Sequence, residues 1–175
     1  MVNETEFRNK HFETRGIIEP IARVADGFGR RQDHAKLVHF MKMALETAQK
    51  LTKETTGKFK SKENLLEDEC DIRYNTYKKS MGRKQLSRFA LAKFIIGLSL
   101  SLDKANELFR LHSGELNDTN DLDYITIHAL KDGDRVDSFI EEVKKYTNIN
   151  VRSDFLYQAT KTYNPKLLNN NLLVA

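Results

Sequence analysis

Apolar residues recur at three- and four-residue steps along most of this chain, the spacing of helices that bury one face. The clearest run is Leu37, Phe40, Met41, Ala44, Leu45, Ala48 and Leu51, which predicts a long helix capped by Asp33 and closed by Gly57. Ahead of it, Glu19-Pro20 opens a shorter helix, since proline is tolerated in a first turn, and Gly27-Phe28-Gly29 breaks it. Short helices follow in quick succession: ENLLEDEC capped by Ser61, RYNTYKKS ending at Gly82, RFALAKFIIGLSL capped by Ser87, and KANELFRLH running to Gly114. Asp121 to Leu130 alternates in part, which admits a strand, but its flanks favour a helix. Lys131-Asp132-Gly133-Asp134 reads as a turn, and Val136, Phe139, Ile140 and Val143 mark a further amphipathic helix. The expected fold class is all-α, a multi-helix bundle.

Composition narrows this picture. Eight Gly, two Pro and no Trp among 175 residues leave little material for a multi-turn β-architecture. The chain is long enough to bury a sizeable core. Its one cysteine, Cys70, forms no internal disulfide and is expected as a small buried hydrophobe in a reducing compartment. No apolar run approaches the roughly 20 residues of a membrane span, and the opening MVNETEFRNK lacks the layout of a secretory signal. The expectation is a cytoplasmic protein with no membrane contact. Four segments are distinguishable: a basic helical segment 1–60, a central segment 61–112, an acidic helical extension 113–148, and a short helix with an Asn-rich tail at 149–175.

The net charge of +4 is modest, so its distribution carries more information than its sum. Glu63, Glu67, Asp68, Glu69 and Asp71 are followed by Arg73, Lys78, Lys79, Arg83, Lys84, Arg88 and Lys93, with no carboxylate from 72 to 102. Such a run is either a nucleic-acid surface or the solvated face of a bundle.

Two short helices joined by a tight turn, then two more, is the order of a helix-turn-helix module. Residues 66–103, within a module at about 61–112, resemble the Cro/C1 (XRE) family. The family's apolar, small, apolar, glycine, apolar series is occupied by Leu66, Glu67, Cys70, Asp71 and Ile72. Its recognition helix is matched by Arg73-Tyr74-Asn75-Thr76, then Tyr77, then Gly82, and its L-G-V-S-L-D junction by Leu98-Ser99-Leu100-Ser101-Leu102-Asp103. The chain departs from the pattern at Glu67, which implies a looser or tilted helix pair, and at Asp71, which tolerates the left-handed turn better than most residues. The resemblance implies a helix-turn-helix whose second helix enters the major groove of duplex DNA. Arg73, Tyr74, Asn75 and Lys78 are then the base contacts, with Asn75 suited to adenine and Arg73 to guanine. Lys79, Arg83, Lys84 and Arg88 are the expected phosphate contacts.

Other chemistry has little support. His11, His34, His39, His112 and His128 lack metal-ligand spacing, and Gly27-Phe28-Gly29-Arg30-Arg31 lacks the strand and lysine of a phosphate loop. No cofactor, metal or enzymatic activity is expected. The leading reading is a non-enzymatic DNA-binding transcriptional regulator. The alternative is a protein-binding inhibitor or accessory factor that uses the same fold to act on a nucleic-acid enzyme. A third reading, RNA binding, rests on Tyr74, Tyr77 and Phe89 as stacking platforms. The Leu37–Leu51 stripe is read as core, with a homodimer seam as the alternative.

Overall fold

The computed structural model describes residues 2–7, 27–82 and 85–155, with 27–31 as backbone only. The protein is all-α. Helix α1 spans Gly27–Thr56. Helix α2 begins at Lys62–Asn64 and widens into a π-helical turn, Leu65–Glu69. Helices α3 (Tyr74–Ser80), α4 (Arg88–Gly97), α5 (Leu102–His112), α6 (Asp121–Asp132) and α7 (Val136–Tyr146) follow. A helical turn at 4–7 precedes them. The stretch 121–130 is helical, as its flanks suggested, with Asn120 capping it and left-handed Gly133 ending it.

Ser61, Ser87 and Ser101 cap α2, α4 and α5, each accepting a hydrogen bond from the backbone N–H three residues on. The predicted start of α1 moves. The helix runs through the Gly27-Phe28-Gly29 stretch, so Asp33 lies inside it rather than capping it. Glycines in a first turn weaken a helix without stopping it. The closing position behaves as expected, with Gly57 at φ 71°. The predicted helix beginning at Glu19-Pro20 lies outside the described residues.

Helix α4 is the centre of the molecule. Every side chain from Phe89 to Ile96 is buried, as expected of a helix that is apolar on all sides. Helices α5, α6 and α7 and the end of α2 pack against it, and α1 lies mainly along α5. One buried cluster draws on the first three segments, from Val2 and Phe7 through Leu37, Met41 and Leu45 to Phe109, Phe139 and Val143, with half-buried Ile149 and Val151 against it. Leu37, Met41 and Leu45 therefore serve as core, whereas Leu51 is 59% exposed. The acidic extension packs on the same cluster through the stacked rings of Phe89 and Phe139. The chain's start joins there too, with the Val2 N–H donating to Glu142 Oε1 at 3.0 Å and Phe7 against Tyr146.

Among the described residues no helix is long and apolar enough to cross a membrane.

Candidate nucleic-acid interface

The basic run divides in two once the chain is folded. Its first half lies on α3. There Tyr77 and Ser80 face inward while Arg73, Asn75, Lys78 and Lys79 are exposed. The pattern is that of a short amphipathic helix: Asn75, Lys78 and Lys79 lie within one outward arc. Tyr74 is half-buried. Its ring stacks against Tyr77, which in turn stacks against Phe94, and the Lys78 ammonium sits 4.9 Å from the Tyr74 centroid. Tyr74 thus braces Lys78 and is the least available of the four base-contact candidates. Burial, with a smaller effect of Tyr74, pushes the Tyr77 hydroxyl up to about 12.

The turn before α3 explains how this sequence departs from the expected pattern and still folds. Asp71 has φ 53°, the left-handed conformation that glycine occupies most easily. The amides of Cys70 and Ile72 both donate to the Leu66 carbonyl, at 3.2 and 3.0 Å. The span from Ile72 to Leu66 is one residue longer than an ordinary Schellman closure because α2 ends in a π turn. Glu67 points outward, and its carboxylate accepts from the Tyr74 N–H at 3.4 Å, capping α3. Ser99, at the second position where the resemblance carries glycine, also has φ 53°. Its neighbours form a Schellman closure, with Leu100 N–H donating to Ile95 O and Ser99 N–H to Ile96 O.

Gly97 sets how closely α4 approaches this turn. A Cβ at that position would lie 2.4 Å from the Glu69 carbonyl oxygen and 2.6 Å from the Cys70 sulfur. Cys70 is fully buried, its sulfur 3.7 Å from the Phe94 carbonyl. Burial raises its thiol to about 12, which makes it a packing residue and not a nucleophile.

The described cations of the second half, Arg88 and Lys93, are engaged within the fold. Arg88 was expected on phosphate, and the structure gives it other work. Its guanidinium grips Asp123 with two bonds of 2.8 Å and donates also to Ser113 Oγ, Gly114 O and Glu115 O. All five donors of the fork are used within the fold, and the plane lies over the Phe109 ring. Lys93 is 1% exposed, with its ammonium 2.8 Å from both the Asp71 carbonyl and Asp154 Oδ1. Arg83 and Lys84 lie outside the described residues. The stacking platform needed for RNA is not formed, since Tyr77 and Phe89 are both buried.

The acidic residues beside α3 are partly neutralised. Lys60 contacts Glu69 at 2.9 Å and Asp68 at 3.3 Å, and Lys62 contacts Glu46 at 3.5 Å. An open groove of about 410 Å³ remains acidic, with Glu67, Asp68, Asp71, Asp134, Asp137 and Glu141 on its walls. Among the described residues no cluster could hold a metal ion.

Two features of the site were not foreseen. Lys93 inside the otherwise apolar FALAKFII was the available signal for a buried cation. Nothing in the sequence indicated that Asp154 would meet it.

No protein-family model matches the chain, and no curated protein or solved structure matches it either.

Proposed function

We propose that the protein binds duplex DNA through α3 and acts as a non-enzymatic regulator. The observation that carries this reading is the α3 surface itself. A short helix anchored by Ile72, Tyr77 and Ser80 presents Arg73, Asn75, Lys78 and Lys79 to solvent together. Such a helix, set off by a tight turn from the one before it, suits major-groove entry. In this reading Asn75 reads a base edge, and Lys78, which the resemblance put among the base contacts, is held beside Tyr74 and joins Lys79 near the backbone. Arg88 contributes by holding α4 to α6 and touches no phosphate. The left-handed Asp71 and Ser99 support the likeness to the Cro/C1 arrangement, because they supply the turn conformations that its glycines would.

The test is selection from a random duplex pool with the wild type and Asn75→Ala. The expected outcome is an enriched motif in the wild type that loses preference at one position in the variant. Recovery of the same motif by both proteins would remove Asn75 from the interface.

The acidic groove favours a second reading, an accessory factor that binds a basic protein segment. That reading predicts affinity for a Lys/Arg-rich peptide, abolished by Asp137→Lys with Glu141→Lys.

A further inference from the structure

Residues 149–155, expected to open a short helix, instead form a turn and an extended strap beside the start of α3. Residues 151–155 return to the loop ahead of α4. Leu86 pairs with Phe155 in a single antiparallel bridge, and the Ser87 N–H donates to the Asp154 carbonyl at 2.8 Å. Asn150 shapes the bend, its side-chain oxygen accepting from the Arg152 N–H at 3.1 Å and its carbonyl from the Ser153 N–H at 3.1 Å. Buried Lys93 then ties this strap to the turn before α3, because one ammonium donates to Asp71 O and forms an ion pair with Asp154, its nitrogen 2.8 Å from Oδ1.

Between strap and helix runs an open groove of about 750 Å³, with Arg73 and Thr76 on the α3 side and Arg152 on the strap side. Three carboxylates also reach it, and each has an internal partner. Glu67 accepts from the Tyr74 N–H, and Asp71 and Asp154 lie 3.6 and 2.8 Å from the Lys93 ammonium. The arginines differ. The ion-paired arginines among the described residues are Arg88, Arg110 and Arg135. Arg73 and Arg152 are exposed and form no ion pair among the described residues. Counted with Lys93 the lining is neutral, so the two exposed guanidinium groups, and not the groove as a whole, are what is open to an anion. Arginine forks match phosphate geometry.

We propose that Arg152 is an additional phosphate contact for duplex DNA, held beside α3 by the Lys93–Asp154 ion pair. This rests on the reading of α3 as the DNA-binding helix. Arg152 widens the contact surface on the side of α3 that Arg73 and Thr76 occupy, away from Lys78. Asp154 acts as a positioning residue, since its carboxylate fixes the strap and not the ligand.

The experiment is anisotropy of a labelled random-sequence duplex with the full chain, titrated across salt. The proteins are wild type, Arg152→Ala, Lys78→Ala/Lys79→Ala, Asp154→Asn and Arg152→Ala/Asp154→Asn. Loss of one phosphate contact lowers the slope of log K against log salt by about 0.9. Arg152→Ala is expected to show that decrease with unchanged circular dichroism. Asp154→Asn is expected to reduce the slope too, with no further reduction in the Arg152→Ala/Asp154→Asn double variant. An unchanged slope in Arg152→Ala, with a reduced slope in Lys78→Ala/Lys79→Ala, overturns this contact and leaves the α3 reading standing. Additive effects of Arg152→Ala and Asp154→Asn overturn the positioning role. Absence of salt-dependent binding by the wild type overturns both readings together.

Discussion

Arg88→Ala separates structural cations from surface ones. The substitution leaves the Asp123 carboxylate, 4% exposed, without the two 2.8 Å bonds that face it. It also strips Ser113 Oγ and the carbonyls of Gly114 and Glu115 of their donor. Removing one partner of a buried pair costs about 3–5 kcal/mol, because the other charge remains desolvated. The arginine side chain is itself 20% exposed, and the Asn117 N–H still donates to Asp123 Oδ2 at 2.9 Å. Water and that amide compensate in part, which places the expected loss near the lower end, about 3 kcal/mol. Lys78→Ala/Lys79→Ala, on exposed side chains, should change stability by less than about 0.5 kcal/mol per site. Urea unfolding of the variants measures both quantities. Arg88→Lys should recover only part of the loss, since a lysine keeps the charge without the fork. A double-mutant cycle with Asp123→Ala should return a coupling of about 1–3 kcal/mol. An Arg88→Ala protein as stable as wild type would refute the reasoning and return Arg88 to the candidate phosphate contacts.

Three further outcomes follow from the core. Gly97→Ala should cost about 1–3 kcal/mol in denaturant unfolding, because its methyl group must open a 2.4 Å approach to the Glu69 carbonyl by about 1 Å to reach ordinary contact; equal or greater stability would show that the α2–α4 approach is looser than described. Cys70 should react with a thiol reagent only as fast as the protein opens, given its complete burial and its thiol at about 12, and stoichiometric labelling of the native protein within seconds would contradict this. His112 is half-buried with Nε2 2.7 Å from the Leu86 carbonyl, and its partial burial holds its pKa below the ordinary 6.5. The unfolded chain therefore binds more protons as pH falls, so the contribution of His112 is present above about pH 6.5 and lost as pH drops through its lowered folded value. Unfolding between about pH 7.5 and 5 should show a larger stability loss in wild type than in His112→Gln. A loss of the same size in both would assign the effect to other groups.

The helices were legible because their signals are local. Serine caps, apolar spacing and closing glycines lie within a few residues of what they control, and Ser61, Ser87 and Gly57 behave accordingly. Partners far along the chain were not legible. Arg88 and Lys93 look like Lys78 and Lys79 in a list of cations, and only the fold brings Asp123 and Asp154 to the first two. The stripe on α1 misleads at its end for a geometric reason. A 30-residue helix is about 45 Å long and outruns the 11-residue α5 it packs on, so Leu51 has the spacing of a core residue without a core to enter. The turn at Asp71 was legible as a conformation, since aspartate tolerates the left-handed region. The π-helical widening before it was not, because it depends on how Leu65 and Leu66 seat in the core.

The central claim is that α3 carries a DNA-binding surface made of Arg73, Asn75, Lys78 and Lys79. Its most direct test is anisotropy of labelled duplex DNA at two salt concentrations with wild type and Lys78→Ala/Lys79→Ala. The account predicts wild-type binding that weakens steeply with salt and a slope smaller by about 1.8 in the double variant. Equal binding and equal slope in both proteins, or no binding by the wild type at low salt, would contradict it and make α3 a solvated face beside an acidic protein-binding groove.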